Sequence, residues 1–574
     1  MKVKVRILPY NIEAEAEEGE NLADIIARSV SGFVLPCGGR GFCGLCKVKV
    51  IDGRLTNLTG NEKLHGIEPP FRLACQARVL SDVVVELEGV GRLRALASGI
   101  EPRIEYKYPL SSSKLISIEG RPHQPLDKWI IRKVDTKGVT FNALKKLSLL
   151  WEKGTFYSVI FEDKIVDFSE KPRELGLAID VGTTKIAAYL VDLANGRTLW
   201  ESYILNPQSV YGDDVITRIT KVLENKENLS KMHRMTIRAI EGLCRDGCKA
   251  VGRSVEEVSC VVAVGNTVMM SIFLEVDPTP LGKYPFEPLI SDSCEGYGSE
   301  FDFKALGDSW VYVPPSVSGY IGSDALGDIL TARILSKGMR RTLIIDIGTN
   351  TEVALITDSD DILATSAPAG PALEGGYISS GVRAMEGAIY RVRITDYGKV
   401  LYSYYGDRPI GLSGSGLISL IAEMLRKGVI NKYGRFMGEH RKENKFYVDP
   451  KRNIVVTQND IREFQKAKAA ISSAWKTLLK VAGLTPNDLT AVYVCGSFGS
   501  SLDVSDALEV GLLPPIHTNK VYVIGNAAGT GAKLILKSRK LKEEVERMAR
   551  EIKVIRPAEG KEYMKFWVKN LVLQ

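Results

Sequence analysis

The chain of 574 residues lacks the signals of several common protein classes. It contains no G-x4-G-K-[ST] element, so a P-loop nucleotide site is excluded. It has only 5 histidines, none of them in a motif, and histidine-based hydrolysis or a histidine-rich metal centre therefore has no support. The net charge is only +7 and no block of like charge accompanies it, which argues against nucleic-acid binding.

Long hydrophobic runs are also missing. The most apolar stretch, Val258 to Leu274, is interrupted by Gly265 and Asn266, which favours a buried strand followed by a helix over a membrane span. The N-terminal segment MKVKVRILPYNIEAEAEEGE has no apolar core of the kind that a signal peptide needs. We therefore expect a cytosolic protein with no membrane anchor.

The length and the changes of pattern along the chain predict an α/β multidomain protein with about three or four folding units. Apolar and polar residues alternate in KVKVRI and DVVVELE, as in a small β-rich module, and proline and serine clusters follow. Further on, apolar strands end in glycine-rich turns and alternate with helices. The predicted divisions are a β-rich domain (1–92), a linker (93–125), a small middle domain (126–174) and an α/β domain (175–574) with lobes 175–340 and 341–574.

Two segments of the α/β domain repeat one another. LAIDVGTTKIAAYLVD, from Leu177 to Asp192, and LIIDIGTNTEVALITD, from Leu343 to Asp358, share an apolar strand, then Asp, Gly and Thr, then a second apolar strand. The pattern predicts two related lobes, each opening with a β-hairpin whose turn carries the Asp and Gly.

Four of the 9 cysteines lie in the first 75 residues. Cys37, Cys43 and Cys46 belong to the glycine-rich segment PCGGRGFCGLCKV, and Cys75 follows in RLACQA. A [2Fe-2S] cluster needs thiolates that converge from one tight loop and one distant strand, and glycines let the backbone curl around the sulfurs. The spacing C-x5-C-x2-C with a remote fourth cysteine therefore predicts a [2Fe-2S] site.

A structural zinc site is the alternative, because four cysteines can also bind Zn²⁺ tetrahedrally. Zinc ribbons usually pair two C-x2-C knuckles, whereas only Cys43 and Cys46 form one here. The remote Cys75 in RLACQ is typical of ferredoxins. These features favour the iron-sulfur cluster over zinc.

The two repeated turns carry the residue types of a phosphate site. In the first lobe Asp180 ends a strand, Gly182 lets the backbone approach a phosphate, and Thr183 and Thr184 offer hydroxyl and amide donors. The corresponding residues of the second lobe are Asp346, Gly348, Thr349 and Asn350. We predict that ATP and Mg²⁺ bind between the two hairpins, where two facing carboxylates suit metal binding and the positioning of an attacking water.

Further glycine turns support a nucleotide site. In VYVCGSFGSSL, Gly496 and Gly499 follow an apolar strand as in an adenosine-binding turn, and GLSGSG contributes Gly414 and Gly416. For IGNAAGTGAKL near the C-terminus, close helix packing and a binding role remain equally open. VAVGNTVMM, around Asn266, is interpreted more readily as core than as site.

The motifs at Asp180–Thr184, Asp346–Asn350 and Cys495–Gly499 resemble the two phosphate motifs and the adenosine motif of the superfamily of sugar kinases, heat-shock chaperone ATPases and actin. Together with an N-terminal [2Fe-2S] domain, they make the whole chain similar to the reductive activators of corrinoid-dependent methyltransferases. The resemblance implies a β-grasp ferredoxin-like domain joined to a two-lobed actin-like ATPase.

The resemblance also implies the activity. Members of that family use ATP to return oxidised Co(II) corrinoid to Co(I), with one electron passing from the cluster. The implied partners are a corrinoid protein or methyltransferase and an upstream low-potential electron donor, and a homodimer is plausible on the same ground. Asp180 and Asp346 are the expected catalytic carboxylates.

Other functions remain open at this point. One is a ferredoxin with a regulatory nucleotide-binding module, and another is activation of a different low-potential enzyme such as a dehydratase. A metabolite kinase is disfavoured because it leaves the cluster without a purpose and because no separate base for a substrate hydroxyl can be identified.

Overall fold

The computed structural model describes residues 2–8, 12–29, 41, 46–64, 66–87, 99–118, 120, 123–496, 501–556 and 561–573. No helix within these ranges combines the length and the apolar composition needed to cross a membrane.

The N-terminal module is a mixed sheet with one helix packed on it. Its elements are β1 (Lys2–Leu8), β2 (Ile12–Glu17), α1 (Leu22–Ser29), β3 (Lys47–Leu55), α2 (Gly60–Leu64), β4 (Phe71–Leu73) and β5 (Val79–Leu87). The strand order is β2-β1-β5-β3-β4, with β1 and β5 parallel. The alternation predicted from KVKVRI is confirmed, since Val3, Val5 and Ile7 are buried and pack with α1 residues such as Ile25 and Ile26.

A second, smaller sheet follows, with the strand order β6-β8-β9-β7. Its elements are β6 (Ser111–Ser117), α3 (Leu126–Val134), β7 (Gly138–Val139), α4 (Phe141–Leu150), β8 (Thr155–Phe161) and β9 (Lys164–Ser169). β6 lies inside the range 93–125 predicted as a linker, yet it pairs along its whole length with β8. Its sequence, SSSKLIS, has four serines and few apolar side chains, so its composition does not indicate a strand.

The segment between these two sheets, residues 99–110, packs against the second lobe of the α/β domain. Ile100 N–H donates to Ile524 O at 2.9 Å, and Leu110 N–H donates to Leu536 O at 3.0 Å. Glu101 pairs with Lys533 at 2.6 Å and also with Lys537, both of which are almost fully buried. Residues 99–110 are thus an anchored strap.

The first lobe contains a sheet in the order β12-β11-β10-β13-β15-β14. Its elements are β10 (Leu175–Val181), β11 (Lys185–Asp192), β12 (Arg197–Leu205), α5 (Val215–Glu224), α6 (Glu227–Ala250), β13 (Val258–Gly265), α7 (Thr267–Phe273), β14 (Cys294–Tyr297), β15 (Trp310–Val313) and α8 (Ser323–Leu335). As the sequence predicts, the apolar run after Val258 forms a buried strand and then a helix, and Asn266 caps that helix by accepting from Met269 N–H.

The second lobe contains a sheet in the order β25-β24-β16-β17-β18-β26 and two smaller sheets, β20-β19-β21 and β22-β23. Its strands are β16 (Thr342–Ile347), β17 (Thr351–Ile356), β18 (Ile362–Ala367), β19 (Ala388–Ile394), β20 (Val400–Tyr404), β21 (Gly411–Leu412), β22 (Lys445–Asp449), β23 (Ile454–Thr457), β24 (Ala491–Gly496), β25 (Val521–Gly525) and β26 (Lys553–Val554). Its helices are α9 (Gly414–Arg426), α10 (His440–Glu443), α11 (Gln458–Val481), α12 (Val504–Glu509), α13 (Ala527–Lys537), α14 (Arg539–Glu551) and α15 (Lys561–Asn570).

The predicted repeat of two hairpins is confirmed. β10 pairs antiparallel with β11 and parallel with β13, and β16 pairs antiparallel with β17 and parallel with β24. Between the lobes, α8 and α13 approach closely at two glycines. A Cβ on Gly531 would lie only 2.3 Å from Gly327 Cα, so the contact leaves no room for a side chain. The close-packing interpretation of IGNAAGTGAKL is therefore correct, and it brings the turn before α13 to the hairpins.

Candidate functional site

The two hairpin turns face each other across a cleft. Nine of the predicted nucleotide-site residues line it: Asp180, Gly182, Thr183, Thr184, Asp346, Gly348, Thr349, Asn350 and Gly496. The geometry thus brings the two sequence repeats into one site.

Glu374 joins the two turns and was not predicted from the sequence. Its Oε2 accepts hydrogen bonds from Thr184 Oγ1 at 2.5 Å and from Thr349 Oγ1 at 2.9 Å. Gly375 follows with a φ of +83°, and a Cβ there would lie 2.5 Å from Val382 O. The sharp turn after Glu374 therefore depends on glycine. The sequence EGG could have predicted this turn and so drawn attention to Glu374.

α8 brings two further carboxylates, Asp324 and Asp328, into the cleft. They are four residues apart and so share one face of the helix. Within the described residues no N–H or hydroxyl donor reaches either oxygen of Asp328 or Oδ1 of Asp346, although the Cys495 thiol and a proton shared by the two carboxyls are within reach of Asp328. Buried carboxylate oxygens without donors indicate a cation site, because isolated buried charge is strongly unfavourable. The i, i+4 spacing in SDALGD could have revealed the pair.

Burial changes the protonation of these carboxyls. Burial raises the pKa of Asp180 to about 6, although the hydrogen bond from Asn526 lowers it. Burial also raises the pKa of Asp346 to about 7, and the negative charge of Asp180 adds to this rise. The pKa of Asp324 rises to about 8, and that of Asp328 lies well above its usual value, for the same reasons of burial and neighbouring negative charge.

Lys185 places a buried cation in the same cleft. Among the described residues its Nζ has no hydrogen-bond partner, although it lies 4.9 Å from the centre of the Tyr203 ring. Burial lowers the pKa of Lys185 to about 8, although the negative charge of Glu374 raises it. Lys185 directly follows the GTT turn, so it is the residue that the motif analysis should have added as an anion ligand.

Amide side chains hold the first hairpin in position. Asn526, which caps α13, donates from Nδ2 to Asp180 Oδ2 at 2.7 Å. Asn266 donates from Nδ2 to Thr183 Oγ1 at 3.0 Å and also lines the cleft. The segment VAVGNTVMM is thus core through its strand and helix, but its asparagine belongs to the site, which corrects the interpretation of this segment as mainly core.

The remaining predicted glycines divide into three cases. Gly414 begins α9 and lines a cavity beside Thr184, Lys185 and Glu374. Gly416 is buried in the first turn of α9, where a Cβ would lie 2.0 Å from Ile389 O, so it makes room for the strand. Gly499 lies outside the described residues.

At the other end of the chain, two of the predicted cluster ligands lie side by side. Cys46 Sγ and Cys75 Sγ are 3.2 Å apart and both residues are buried. This separation is too long for a disulfide, whose bond is about 2.05 Å. Ala74 N–H donates to Cys46 O at 2.8 Å and so brings the two segments together. Cys37 and Cys43 lie outside the described residues.

Gly41, in the glycine-rich segment before Cys46, lies close to the residue that follows Cys75. Gly41 has a φ of +79°, and a Cβ there would lie 2.5 Å from the Gln76 side chain, next to Cys75. On the opposite side, Arg72 Nε donates to Glu62 Oε1 at 2.8 Å, and both residues are buried. The adjacent thiols of Cys46 and Cys75 fit two of the four ligands of a [2Fe-2S] cluster.

Comparison with known proteins agrees with this geometry. Residues 5–80 match a 2Fe-2S iron-sulfur cluster binding domain, residues 175–337 match the RACo middle region, and residues 340–574 match the C-terminal domain of RACo, the ASKHA domain. The match at 175–337 corresponds to the first lobe and not to the small sheet that we predicted as a middle domain.

Two curated relatives and one solved structure are similar to this chain over 65% to 100% of its length. The corrinoid activation enzyme RamQ of Eubacterium limosum is 29% identical over 94% of this chain and 93% of its own. A [Co(II) methylated amine-specific corrinoid protein] reductase of Methanosarcina barkeri is 28% identical over 65% of this chain and 72% of its own. A solved reductive activator for corrinoid, iron-sulfur protein is 30% identical, with a TM-score of 0.74 over 100% of this chain and 98% of its own.

Proposed function

This chain belongs to the family of reductive activators of corrinoid proteins, and on that premise we propose that it couples ATP hydrolysis to the reduction of Co(II) to Co(I) in a partner corrinoid protein. The observation that carries the proposal is that one chain holds both a pair of adjacent buried cysteines and an acidic cleft between two phosphate-type hairpins. A kinase needs only the cleft, and a ferredoxin needs only the cysteines.

The electron transfer is a one-electron step. Co(II) would gain one electron to become Co(I); the [2Fe-2S] group that the cysteines would hold supplies that electron when bound, and an upstream low-potential donor would restore it. A one-electron deficit of about 200 mV costs roughly 4.7 kcal/mol. ATP, hydrolysed to ADP and phosphate, supplies free energy on this scale. Cys37, Cys43, Cys46 and Cys75 are the proposed cluster ligands.

In the cleft, the two turns would bind the phosphates. The amides and hydroxyls of Gly182, Thr183 and Thr184 face those of Gly348, Thr349 and Asn350 across the cleft, and Lys185 adds a buried positive charge. Gly414 and Gly496 would border the nucleotide on the side of the second lobe. These groups would orient ATP without any covalent chemistry by the protein.

The donor-free carboxylate oxygens fit Mg²⁺, which prefers oxygen ligands. Asp180, Asp328 and Asp346 would hold the ion through oxygens or waters, and bound Mg²⁺ supplies charge neutralisation between the phosphates. Asp346, whose pKa of about 7 lies near neutrality, is the carboxylate best suited to orient an attacking water and accept its proton.

The strap offers a route from the nucleotide to the cysteine domain. A Cβ on Gly99 would lie 2.3 Å from Asn526 O, so the strap touches the residue whose side chain binds Asp180. A change at Asp180 on nucleotide binding would therefore reach the strap through one residue. This contact supports coupling between ATP turnover and the position of the N-terminal module.

The test is anaerobic visible spectroscopy of reduced, cluster-loaded protein mixed with a Co(II) corrinoid protein, with and without Mg-ATP. We expect the Co(I) band only with ATP. Cys75→Ser should abolish Co(I) formation while ATP hydrolysis remains, and Asp346→Asn should abolish hydrolysis while the cluster absorbance remains.

Hydrolysis of ATP without Co(I) formation across several corrinoid partners would overturn the proposal in favour of a regulated electron carrier or an activator of another enzyme. Homodimerisation and location in the cytosol stay predictions. Light scattering at micromolar concentration tests the first.

A further inference from the structure

A second polar cluster lies in the first lobe, apart from the cleft. It consists of His233 on α6, Glu275 in the turn after α7, and Asp302 in the loop before β15. One ligand atom from each residue lies within 4.8 Å of the others. His233 is buried, with 3% of its surface exposed, whereas both carboxylates are exposed to solvent.

The hydrogen bond at Nδ1 of His233 determines which ring nitrogen has a lone pair available to the cluster. Its Nδ1 lies 2.9 Å from Phe273 O, a carbonyl at the end of α7. Because a carbonyl only accepts, Nδ1 carries the proton and the neutral ring has its lone pair on Nε2. This is the arrangement that metal-binding histidines commonly show, with the second nitrogen bonded to a carbonyl or carboxylate.

Nε2 faces Asp302 Oδ2 at 3.4 Å, with Glu275 close by. With neutral imidazole, three lone-pair donors meet at one point, and their repulsion is relieved by a bound cation or by a proton on Nε2. Ser230 Oγ donates to Glu275 Oε1 and thereby orients this carboxylate from the preceding turn of α6. A buried nitrogen that faces two solvent-exposed carboxylates provides three of the ligands that a metal ion needs.

We infer that His233, Glu275 and Asp302 bind a divalent transition-metal ion of the zinc type. One imidazole and two carboxylates suit Zn²⁺ better than Mg²⁺ or Ca²⁺, which prefer all-oxygen sites. The exposed side of the cluster leaves room for a water as fourth ligand. This inference does not depend on the proposed function.

A metal ion at this cluster would hold one end of α7, whose other end is held at the nucleotide cleft. Its C-terminal end carries Phe273 and Glu275, and at its N-terminal end Asn266 donates to Thr183 in the nucleotide cleft. α7 is fully buried, so it connects the two sites as a rigid element. The ion would act as a structural clamp on the lobe and would not touch the nucleotide.

The experiment uses full-length, cluster-loaded protein, so that the cluster cysteines are already occupied. Chelator-treated protein is titrated with Zn²⁺ by calorimetry, and bound zinc is counted after gel filtration. Asp302→Asn and His233→Gln are compared with Glu256→Gln and His517→Gln, which change an exposed glutamate and an exposed histidine elsewhere. Asp302 is exposed, so its variant should fold even if the His233 variant does not.

We expect the wild type and both controls to bind one zinc more tightly than the two cluster variants, by about 10-fold to 100-fold. Zinc X-ray absorption should show nitrogen and oxygen neighbours at about 2.0 Å. Equal binding by all five proteins would overturn the inference, and so would sulfur neighbours at about 2.3 Å, which indicate binding by cysteines. Equal binding by all five proteins is the result expected if His233 carries a proton and the cluster binds no metal.

Discussion

The two hairpins of the ATPase-like domain are built alike but surrounded differently. Asp180 and Asp346 each lie two residues before the glycine of a three-residue turn. Asp180 receives a hydrogen bond from Asn526, whereas Asp346 lies beside the buried carboxyl of Asp328. Burial raises the pKa of both, to about 6 for Asp180, where the Asn526 hydrogen bond opposes it, and to about 7 for Asp346, where the charge of Asp180 adds to it. Helices from outside the repeat thus give two copies of one motif different chemistry.

The largest expected effect is the loss of ATP hydrolysis in Asp346→Asn. Removal of a proton-accepting carboxylate should lower kcat by about 100-fold or more, while nucleotide binding persists because the turn amides remain. Steady-state phosphate release and ADP binding measure the two quantities. Asp361→Asn, on the exposed surface of the same lobe, should behave as wild type. Equal losses of hydrolysis in Asp180→Asn and Asp346→Asn would contradict the division of roles.

Asn526 can be changed in two ways that separate its two contacts. Asn526→Ala removes the cap of α13 and the donor to Asp180, and should lower the free energy of unfolding by about 1 to 2 kcal/mol. Asn526→Asp can still accept from Gly529 N–H, but it places a second negative charge against Asp180. We expect the aspartate variant to retain more stability at pH 5 than at pH 8, which denaturant unfolding at both pH values would reveal.

The raised pKa values predict a pH dependence with a definite sign. A carboxyl whose folded pKa is above its unfolded value holds a proton longer when folded, so its contribution to stability is present at low pH and lost as pH rises. Between about pH 4 and pH 8, the nucleotide-free protein should lose stability as Asp180, Asp346 and Asp324 ionise.

Mg²⁺ should reverse that loss, because metal binding requires the ionised carboxylates and releases protons. We expect the affinity for Mg-ADP to rise by about tenfold between pH 6 and pH 8, with Asp328→Asn showing a weaker trend. Calorimetry in two buffers of different ionisation enthalpy measures both affinity and proton release. An affinity independent of pH would show that these carboxyls do not take part in metal binding.

The smallest effect compares the two threonines that share Glu374. Thr184→Val and Thr349→Val each remove one hydrogen bond to Glu374 Oε2 while preserving side-chain shape. Each should cost about 0.5 to 1.5 kcal/mol of stability. If the carboxylate ties the lobes together, the double variant should lose less than the sum of the two, since the second bond depends on the first. Strict additivity in thermal unfolding would mean that the turns are held independently.

Much of the fold was predictable because its signals are local. The alternation in KVKVRI gave β1, and the repeat around Asp180 and Asp346 gave both hairpins. The helices expected to alternate with apolar strands include α11, and Gly483, with a φ of +67°, follows its end. β6 was missed because SSSKLIS carries too few apolar residues to show a strand that is stabilised by its neighbour β8.

The sequence alone determined the residue types of both centres. A loop of cysteines and glycines can approach a cluster, and an Asp-Gly-Thr turn can approach a phosphate, because these abilities depend on side-chain chemistry and on local backbone freedom. Only the tertiary structure decided that Glu374, Asp328 and Asn526 belong to the cleft, and that Gly416 serves packing. Glu374, Asp328 and Asn526 are far along the chain from the Asp-Gly-Thr turns, and the long-range packing of α8 and α13 and the turn at Glu374 bring them to positions beside those turns.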